Sequence, residues 1–194
     1  MKQLIFALIA GAFAASAAHA EGPYIGLGVA STDYNFKISG GSGVNYGQAT
    51  NISGDGYKQS LKVFGGFDFT PMFGVEAGYT DLRKAEATYN IGPIPGRATA
   101  DGKRAYVAGK ATAPLNEQFS VFGKLGVGYK KSEFRANTLG YNHDDSTTGL
   151  YAGVGVQYNL SKQIGLTLEY ERYGKKDEFG AKPDAITVAA RYNF

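Results

Sequence analysis

The sequence predicts an all-β fold, an eight-stranded antiparallel up-and-down transmembrane β-barrel, on three observations. Apolar and polar residues alternate with the period of a strand in eight separate segments. No segment carries helical periodicity after residue 20. The connections between the segments alternate between tight turns and longer polar stretches, which is the plan of a barrel that crosses a membrane.

Residues 1–20 read as a cleaved export signal. Lys2 supplies the positive start, Leu4 to Ala15 the apolar stretch, and Ala18-His19-Ala20 the small-x-small cleavage pattern. The apolar stretch is too short for a spanning helix. The barrel domain is then expected over residues 21–194. Lys2 is the only Lys, Arg, Asp or Glu in the signal, so 19 Lys and Arg remain against 17 Asp and Glu. That balance argues against nucleic acid as a partner. The absence of cysteine excludes a disulfide framework and thiol chemistry. With no long apolar run left, entry into a membrane requires a closed barrel, because lipid offers nothing to an unpaired backbone group.

The first strand carries Ile25, Leu27 and Val29 on its apolar face, with Gly26 and Gly28 between them. The second sets Leu61, Val63, Phe67 and Phe69 against Lys62, Phe64, Gly66 and Asp68; the third sets Val75, Ala77 and Tyr79 against Glu76, Gly78 and Thr80. Val107 and Ala111 alternate with Tyr106, Ala108 and Lys110, and Val121, Leu125, Val127 and Tyr129 with Phe122, Lys124 and Gly126. Val154, Val156 and Tyr158 mark the sixth strand, Ile164, Leu166, Leu168 and Tyr170 the seventh, and Ile186, Val188, Tyr192 and Phe194 the eighth. Thr70-Pro71-Met72, Pro114 to Glu117 and Ser161-Lys162-Gln163 are the tight turns. Residues 38–56, 90–103, 137–147 and 174–182 are the long polar loops. An even strand number places both termini on the turn side, expected to be periplasmic, with the long loops extracellular.

A soluble eight-stranded barrel with an apolar lumen shares this alternation. Three features favour lipid outside. Phe69, Phe73, Phe119, Tyr158 and Phe194 lie on the apolar face beside the tight turns, as an interfacial aromatic girdle does. The polar face mixes charges with Gly26, Gly66, Gly78, Gly126, Gly153 and Gly155, small residues that make room in a narrow lumen. The last strand closes on an aromatic residue.

Across residues 21–194 the sequence resembles the OmpA-like transmembrane barrel family of Gram-negative bacteria. The resemblance rests on Gly65-Gly66-Phe67-Asp68-Phe69-Thr70-Pro71, Gly74-Val75-Glu76-Ala77-Gly78-Tyr79, Gly123-Lys124-Leu125-Gly126-Val127-Gly128-Tyr129 and Leu168-Glu169-Tyr170. It implies a location in the bacterial outer membrane and a lumen crossed by ion pairs. Glu76 and Lys110 match an acidic and a basic member of that network, Lys124 a further base and Glu169 a further acid. Gln157 stands where the family has a second gate acid and Thr167 where it has the partner arginine. The family's gate-opening ion pair therefore does not carry over, and Arg191 is the candidate substitute. Tyr192 and Phe194 resemble the family's assembly signal, which implies the outer-membrane insertion machinery and periplasmic chaperones as partners. The peptidoglycan-binding domain of longer members is not expected here.

The inward charges predicted from strand phase are Lys62, Lys110, Lys124 and Arg191 against Asp68, Glu76, Glu169 and Glu171. Equal numbers of each sign predict mutual pairing, since unpaired charge in a narrow lumen is costly. The favoured role is structural or surface-interacting, with the lumen plugged; a narrow, weakly selective pore is the alternative. An enzyme acting on lipid or peptide is disfavoured and no catalytic residue is assigned. The one histidine after the signal, His143, sits with Asp144, Asp145 and Ser146 in a polar stretch without a fixed acid–base geometry. Asp144 and Asp145 lack the spacing of a calcium loop, so no metal or other cofactor is assigned. Arg83, Lys84, Lys103, Arg104, Lys130, Lys131 and Arg135 lie near the outer strand ends, where they suit lipopolysaccharide phosphates. The four long loops are the candidate surfaces for an extracellular ligand.

Overall fold

The computed structural model describes residues 22–36, 49–54, 57–91, 94–136, 141–174 and 179–194. The predicted signal at 1–20 lies outside these. The strands are β1 (Gly22–Phe36), β2 (Ala49–Gly54), β3 (Tyr57–Asp68), β4 (Phe73–Ile91), β5 (Ile94–Pro114), β6 (Phe119–Ala136), β7 (Tyr141–Asn159), β8 (Ile164–Tyr173) and β9 (Phe179–Asn193). β2 aside, each strand is antiparallel to the next in chain order, and β1 pairs with β9 from Tyr24↔Asn193 to Phe36↔Phe179. That last ladder closes the sheet. The short β2 pairs with the far end of β4, beyond the stretch that holds β3, and so prolongs the line of β3. The barrel itself is eight-stranded, closed and antiparallel.

The three short turns share one device. Thr70 Oγ1, Asn116 Oδ1 and Ser161 Oγ each accept the backbone N–H three residues on, at 2.9, 2.7 and 3.0 Å. The local side-chain bond replaces a missing ladder partner and fixes the reversal. The opposite end departs from the sequence expectation. Residues 90–103, read as a loop, are almost wholly ladder, with Ile91 opposite Ile94. Residues 141–147 pair with β6, residues 49–54 with β4, and residues 179–182 begin β9; the rest of the predicted loops lies largely outside the described residues. These hairpins extend past the lipid. β4 to β7 are 19, 21, 18 and 19 residues long, against the about 9–11 that a tilted strand needs to cross a bilayer. The outer face meets water there in place of lipid, so the apolar alternation that marks a membrane strand is lost while the register set within the membrane continues.

Exposure inverts the pattern of a soluble protein. Leu27, Val107, Leu125, Leu150 and Val188 are all more than half exposed, whereas Lys62 and Glu171 are fully buried. A continuous apolar belt of this kind is a lipid-facing surface, and it removes the soluble-barrel alternative. Phe69, Phe73, Phe119 and Phe194 stand out at the turn end, and the Phe119 and Tyr158 rings sit 4.7 Å apart.

The lumen is packed by setting nothing opposite something large. A Cβ on Gly78 would overlap the Tyr106 ring, and one on Gly153 would lie 2.5 Å from Glu169 Oε1. A Cβ on Gly126 would overlap the Val107 carbonyl oxygen and sit 2.5 Å from the Ala108 Cα, both backbone atoms that cannot swing away. On the lipid side the nearest atom to a Cβ on Gly123 is 4.0 Å off. Gly126→Ala should therefore cost about 1–3 kcal/mol by overpacking, and Gly123→Ala less than about 0.5 kcal/mol. Urea titration in lipid vesicles, followed by heat-dependent gel mobility, measures both.

Candidate functional site

Strand phase aims alternate residues of all eight barrel strands into one narrow lumen, where the eight predicted charges are buried. They form two tiers. Nearer the turns, Asp68 of β3 pairs with Arg191 of β9, and Lys110 Nζ of β5 lies 3.4 Å from Asp68 Oδ1. The Arg191 guanidinium stacks 3.6 Å from the Tyr24 ring centroid and its Nη1 reaches Gln157 Oε1 at 3.5 Å.

The central tier is a chain of shared lysines. Lys124 Nζ of β6 lies 2.6 Å from Glu76 Oε1 and 2.8 Å from Glu169 Oε2. Lys62 Nζ of β3 lies 3.2 Å from the same Glu169 oxygen and 2.6 Å from Glu171 Oε1. The path Glu76, Lys124, Glu169, Lys62, Glu171 thus crosses from β4 to β6 to β8 to β3 and back to β8. Phenol hydroxyls take the remaining acceptor positions. Tyr24 donates to Glu76 at 2.8 Å, Tyr106 donates to Glu76, Tyr151 donates to Glu171 at 2.7 Å and Tyr173 donates to Glu171 at 3.1 Å. The rings fill the lumen as well: Tyr106 and Tyr151 stack at 4.1 Å, and Tyr173 lies 4.9 Å from Tyr151. Buried charge at this density is costly unless it is paired and hydrogen-bonded, and each carboxylate of this tier is met by a lysine and at least one hydroxyl.

The two residues that the resemblance places in the network, Glu76 and Lys110, fall in different tiers. Glu76 meets Lys124 and not Lys110, which turns to Asp68. The register supplies the reason: Asp68 is opposite Gly74, and Gly74 is opposite Lys110. With no side chain on Gly74, acid and lysine meet across it. The four tyrosines are the residues that the sequence reading left out of the network. Tyr24 stands two residues before Gly26 and Tyr173 two after Glu171, so the same phase rule reaches them.

Two of the seven proposed lipopolysaccharide contacts are corrected. Arg104 and Lys130 are 1% and 5% exposed and point into the lumen; Arg104 Nη1 approaches Thr32 Oγ1 at 3.4 Å, and its guanidinium lies 5.0 Å from the Tyr173 ring. They share the phase of Tyr106 and Lys124, which position near a strand end had hidden. Arg83, Lys84, Lys103 and Arg135 are exposed on the outer wall, and Lys131 is half-buried with Nζ 2.7 Å from Glu133. Tyr192 and Phe194 are exposed at the turn end with ring centroids 5.2 Å apart. The side chains of His143 and Asp144 lie outside the described residues; their backbone belongs to the β6–β7 ladder, and Asp145 and Ser146 are exposed.

Removing Lys62 takes the lysine from buried Glu171 and leaves Glu169 with Lys124 alone. Lys62→Met should cost about 3–5 kcal/mol, whereas Lys131→Met, which breaks a pair on the outer wall, should cost less than about 1 kcal/mol. Unfolding in urea from lipid vesicles discriminates the two.

The profile of the outer membrane protein beta-barrel domain matches residues 4–194. Over 137 residues the chain is 27% identical to outer membrane protein A of Escherichia coli O157:H7, a match that covers 68% of this chain and 38% of that protein; the chain thus spans about two-fifths of the length of such relatives. It is also 27% identical over 168 residues to the attachment invasion locus protein of Yersinia pseudotuberculosis, covering 82% of this chain and 88% of the relative. The crystal structure of Ail, the attachment invasion locus protein of Yersinia pestis, in complex with the heparin analogue sucrose octasulfate superposes with a TM-score of 0.55 at 20% identity, over 91% of this chain and all of that one. A closed eight-stranded barrel with a lipid-facing belt, matched along its length by this profile, belongs to the outer membrane protein β-barrel domain family, as an OmpA-like barrel of the bacterial outer membrane.

Proposed function

We propose that this barrel is a structural and surface-interacting protein whose lumen is closed by its own charges. The observation that carries this reading is the chain of shared lysines. Lys62 and Lys124 tie carboxylates from β4 and β8 together, and the stacked tyrosines occupy the space beside them. An eight-stranded barrel is just wide enough for side chains to fill, so a satisfied network of this kind leaves no continuous water path.

The short turns and both chain ends then face the periplasm, and the hairpins stand outside. Tyr192 and Phe194, exposed beside the last ladder, suit recognition by the insertion machinery during assembly. The similarity to attachment invasion locus protein over most of both chains supports a role at the cell surface. The hairpins β4–β5 and β6–β7 offer an extracellular ligand a rigid ladder, and the exposed cations at their base face the lipopolysaccharide layer.

Planar-bilayer recording tests the closed lumen. The wild-type chain, once folded by the criterion of heat-dependent mobility, should give no discrete openings. Truncating the centre of the network with Glu76→Ala, Lys124→Ala and Glu169→Ala together should produce reproducible current steps. Discrete openings in the wild type that vanish on refilling the lumen would favour the narrow pore instead.

A further inference from the structure

The lipid-facing belt is not equally tall all round the barrel. Its lower rim lies against the short turns and the chain end, at Phe73, Leu115, Phe119, Leu160, Ile164 and Phe194. Its upper rim on each strand is the last outward apolar residue before a polar one. On β5, β6 and β7 the outward run reaches Ala105, Tyr129 and Leu150, and Lys103, Lys131 and Thr148 follow. On β8, β1 and β4 it stops at Tyr170, Val29 and Tyr79, beneath Arg172, Ser31 and Asp81. A strand tilted by about 40° climbs about 2.5 Å per residue. The rise from Phe119 to Tyr129 is then about 25 Å, the usual height of such a belt. From Ile164 to Tyr170, from Phe73 to Tyr79 and from Pro23 to Val29 it is only about 15 Å. On β3 (Leu61 to Phe69) and β9 (Ile186 to Phe194) it is about 20 Å. The tall wall is thus β5 to β7. The short wall is centred on β1, which stands across the barrel from β6 and forms the closing ladder with β9.

Two observations hold the upper rim of the short wall at this lower level. Tyr79, Tyr129 and Tyr170 end their runs at the hairpin side, and a tyrosine at such a place sets its ring in lipid and its hydroxyl among head groups. Arg172 and Asp184 stand directly opposite each other, with Arg172 Nη1 3.6 Å from Asp184 Oδ1. A long arginine alone can reach up to water, but an aspartate is too short to do so, and Asp81 sets the same limit on β4. Leu125 stands as far above Phe119 as Tyr170 stands above Ile164, yet it is the middle of the tall wall, with Val127 and Tyr129 still above it. In a flat bilayer Arg172 and Asp184 would therefore lie in hydrocarbon. Tilting the barrel does not cure this, because raising Tyr170 to the interface draws Ile164 and Phe194 up into the lipid.

We propose that the short wall holds a locally thinned bilayer. The head groups at the hairpin end come down to Tyr170, Arg172 and Asp81 there, and stay at Tyr129 and Lys131 on the opposite side. A hydrophobic stretch shorter than the hydrocarbon core is met by thinning of the lipid or by an association that covers it. Lipid is the occupant here, because Arg172 and Asp184 form a pair of their own and the wall below them is a plain row of exposed apolar side chains, Ile186, Val188 and Leu27 among them. The β1–β9 ladder that closes the barrel thus runs through the thinnest lipid around it. The thinning is independent of whether the lumen conducts.

The test is the depth of single spin labels in the full chain folded into dioleoylphosphatidylcholine vesicles. The chain has no cysteine, so Leu125→Cys, Tyr129→Cys, Ile164→Cys and Tyr170→Cys each carry one label, and heat-dependent mobility reports folding. Relative accessibility to oxygen and to a nickel chelate gives the depth below lipid phosphate. The Tyr170→Cys label should lie level with the Tyr129→Cys label and about 10 Å shallower than the Leu125→Cys label. Equal depths for Tyr170→Cys and Leu125→Cys would overturn the thinning. So would an Ile164→Cys label deep in hydrocarbon, which reports a tilted barrel. Arg172→Leu with Asp184→Leu raises the rim by one outward position and should deepen the Tyr170→Cys label by about 5 Å. An unmoved label would overturn the proposal, since the wall would not then set the level. Spin–spin coupling between the Val188→Cys labels of two molecules would overturn the lipid assignment in favour of a second copy.

Discussion

Closure of the ladder is the constraint on which the rest of this molecule depends. In hydrocarbon an unpaired N–H or C=O has no water to turn to, so β1 must find β9 and every intervening strand must have two neighbours. Closing eight strands fixes the diameter, and the diameter fixes how much the inward residues can hold. Alternation then divides the chain without choice: odd-numbered positions along β5 meet lipid, and even-numbered ones enter a space barely wider than two side chains. Everything polar that the sequence places on the inward face must therefore be satisfied by something else on that face. The ion pairs follow from closure and alternation together.

Strand phase also decides what could be read before the structure. The strands within the membrane were legible because lipid on one side and lumen on the other enforce a strict two-residue period, as in Ile164 to Tyr170. The burial of all eight charges follows from the same period. Pairing was less legible, because it depends on shear between strands. Lys110 and Glu76 are plausible partners in sequence, yet register carries Lys110 past Gly74 to Asp68. Arg104 and Lys130 show the complementary case: they lie near strand ends, but their phase turns them inward. The hairpin extensions carry no such signal, because an outer face that meets water needs no apolar residues at alternate positions.

The glycines sort by the same logic into two kinds. Inside, Gly78 and Gly153 exist because Tyr106 and Glu169 occupy the space their side chains would need. Small faces large across the lumen, so the large side chains can be long, charged and aromatic without straining the wall. Outside, Gly109 and Gly123 answer to no neighbour in the chain. A glycine in a strand weakens it, and close packing among the described residues does not require this pair.

The central network is cooperative in a way that separate ion pairs are not. Each lysine serves two carboxylates, and Glu169 accepts from both lysines through a single oxygen. Moving Lys124 toward either acid alone weakens its hold on the other and alters the field at Lys62, one acid away. A path through the lumen would require such a displacement together with that of the rings of Tyr106 and Tyr151, which stack against each other and donate to the same set of carboxylates. On the proposed reading, charge holds the rings in place, and the rings exclude the water that would otherwise screen the charges. Because each half of the barrier stabilises the other, loosening one residue redistributes its partners among the remaining donors before it frees a channel. In the proposed closed lumen, a network with only two lysines in its central tier is thereby enough to seal a barrel of eight strands.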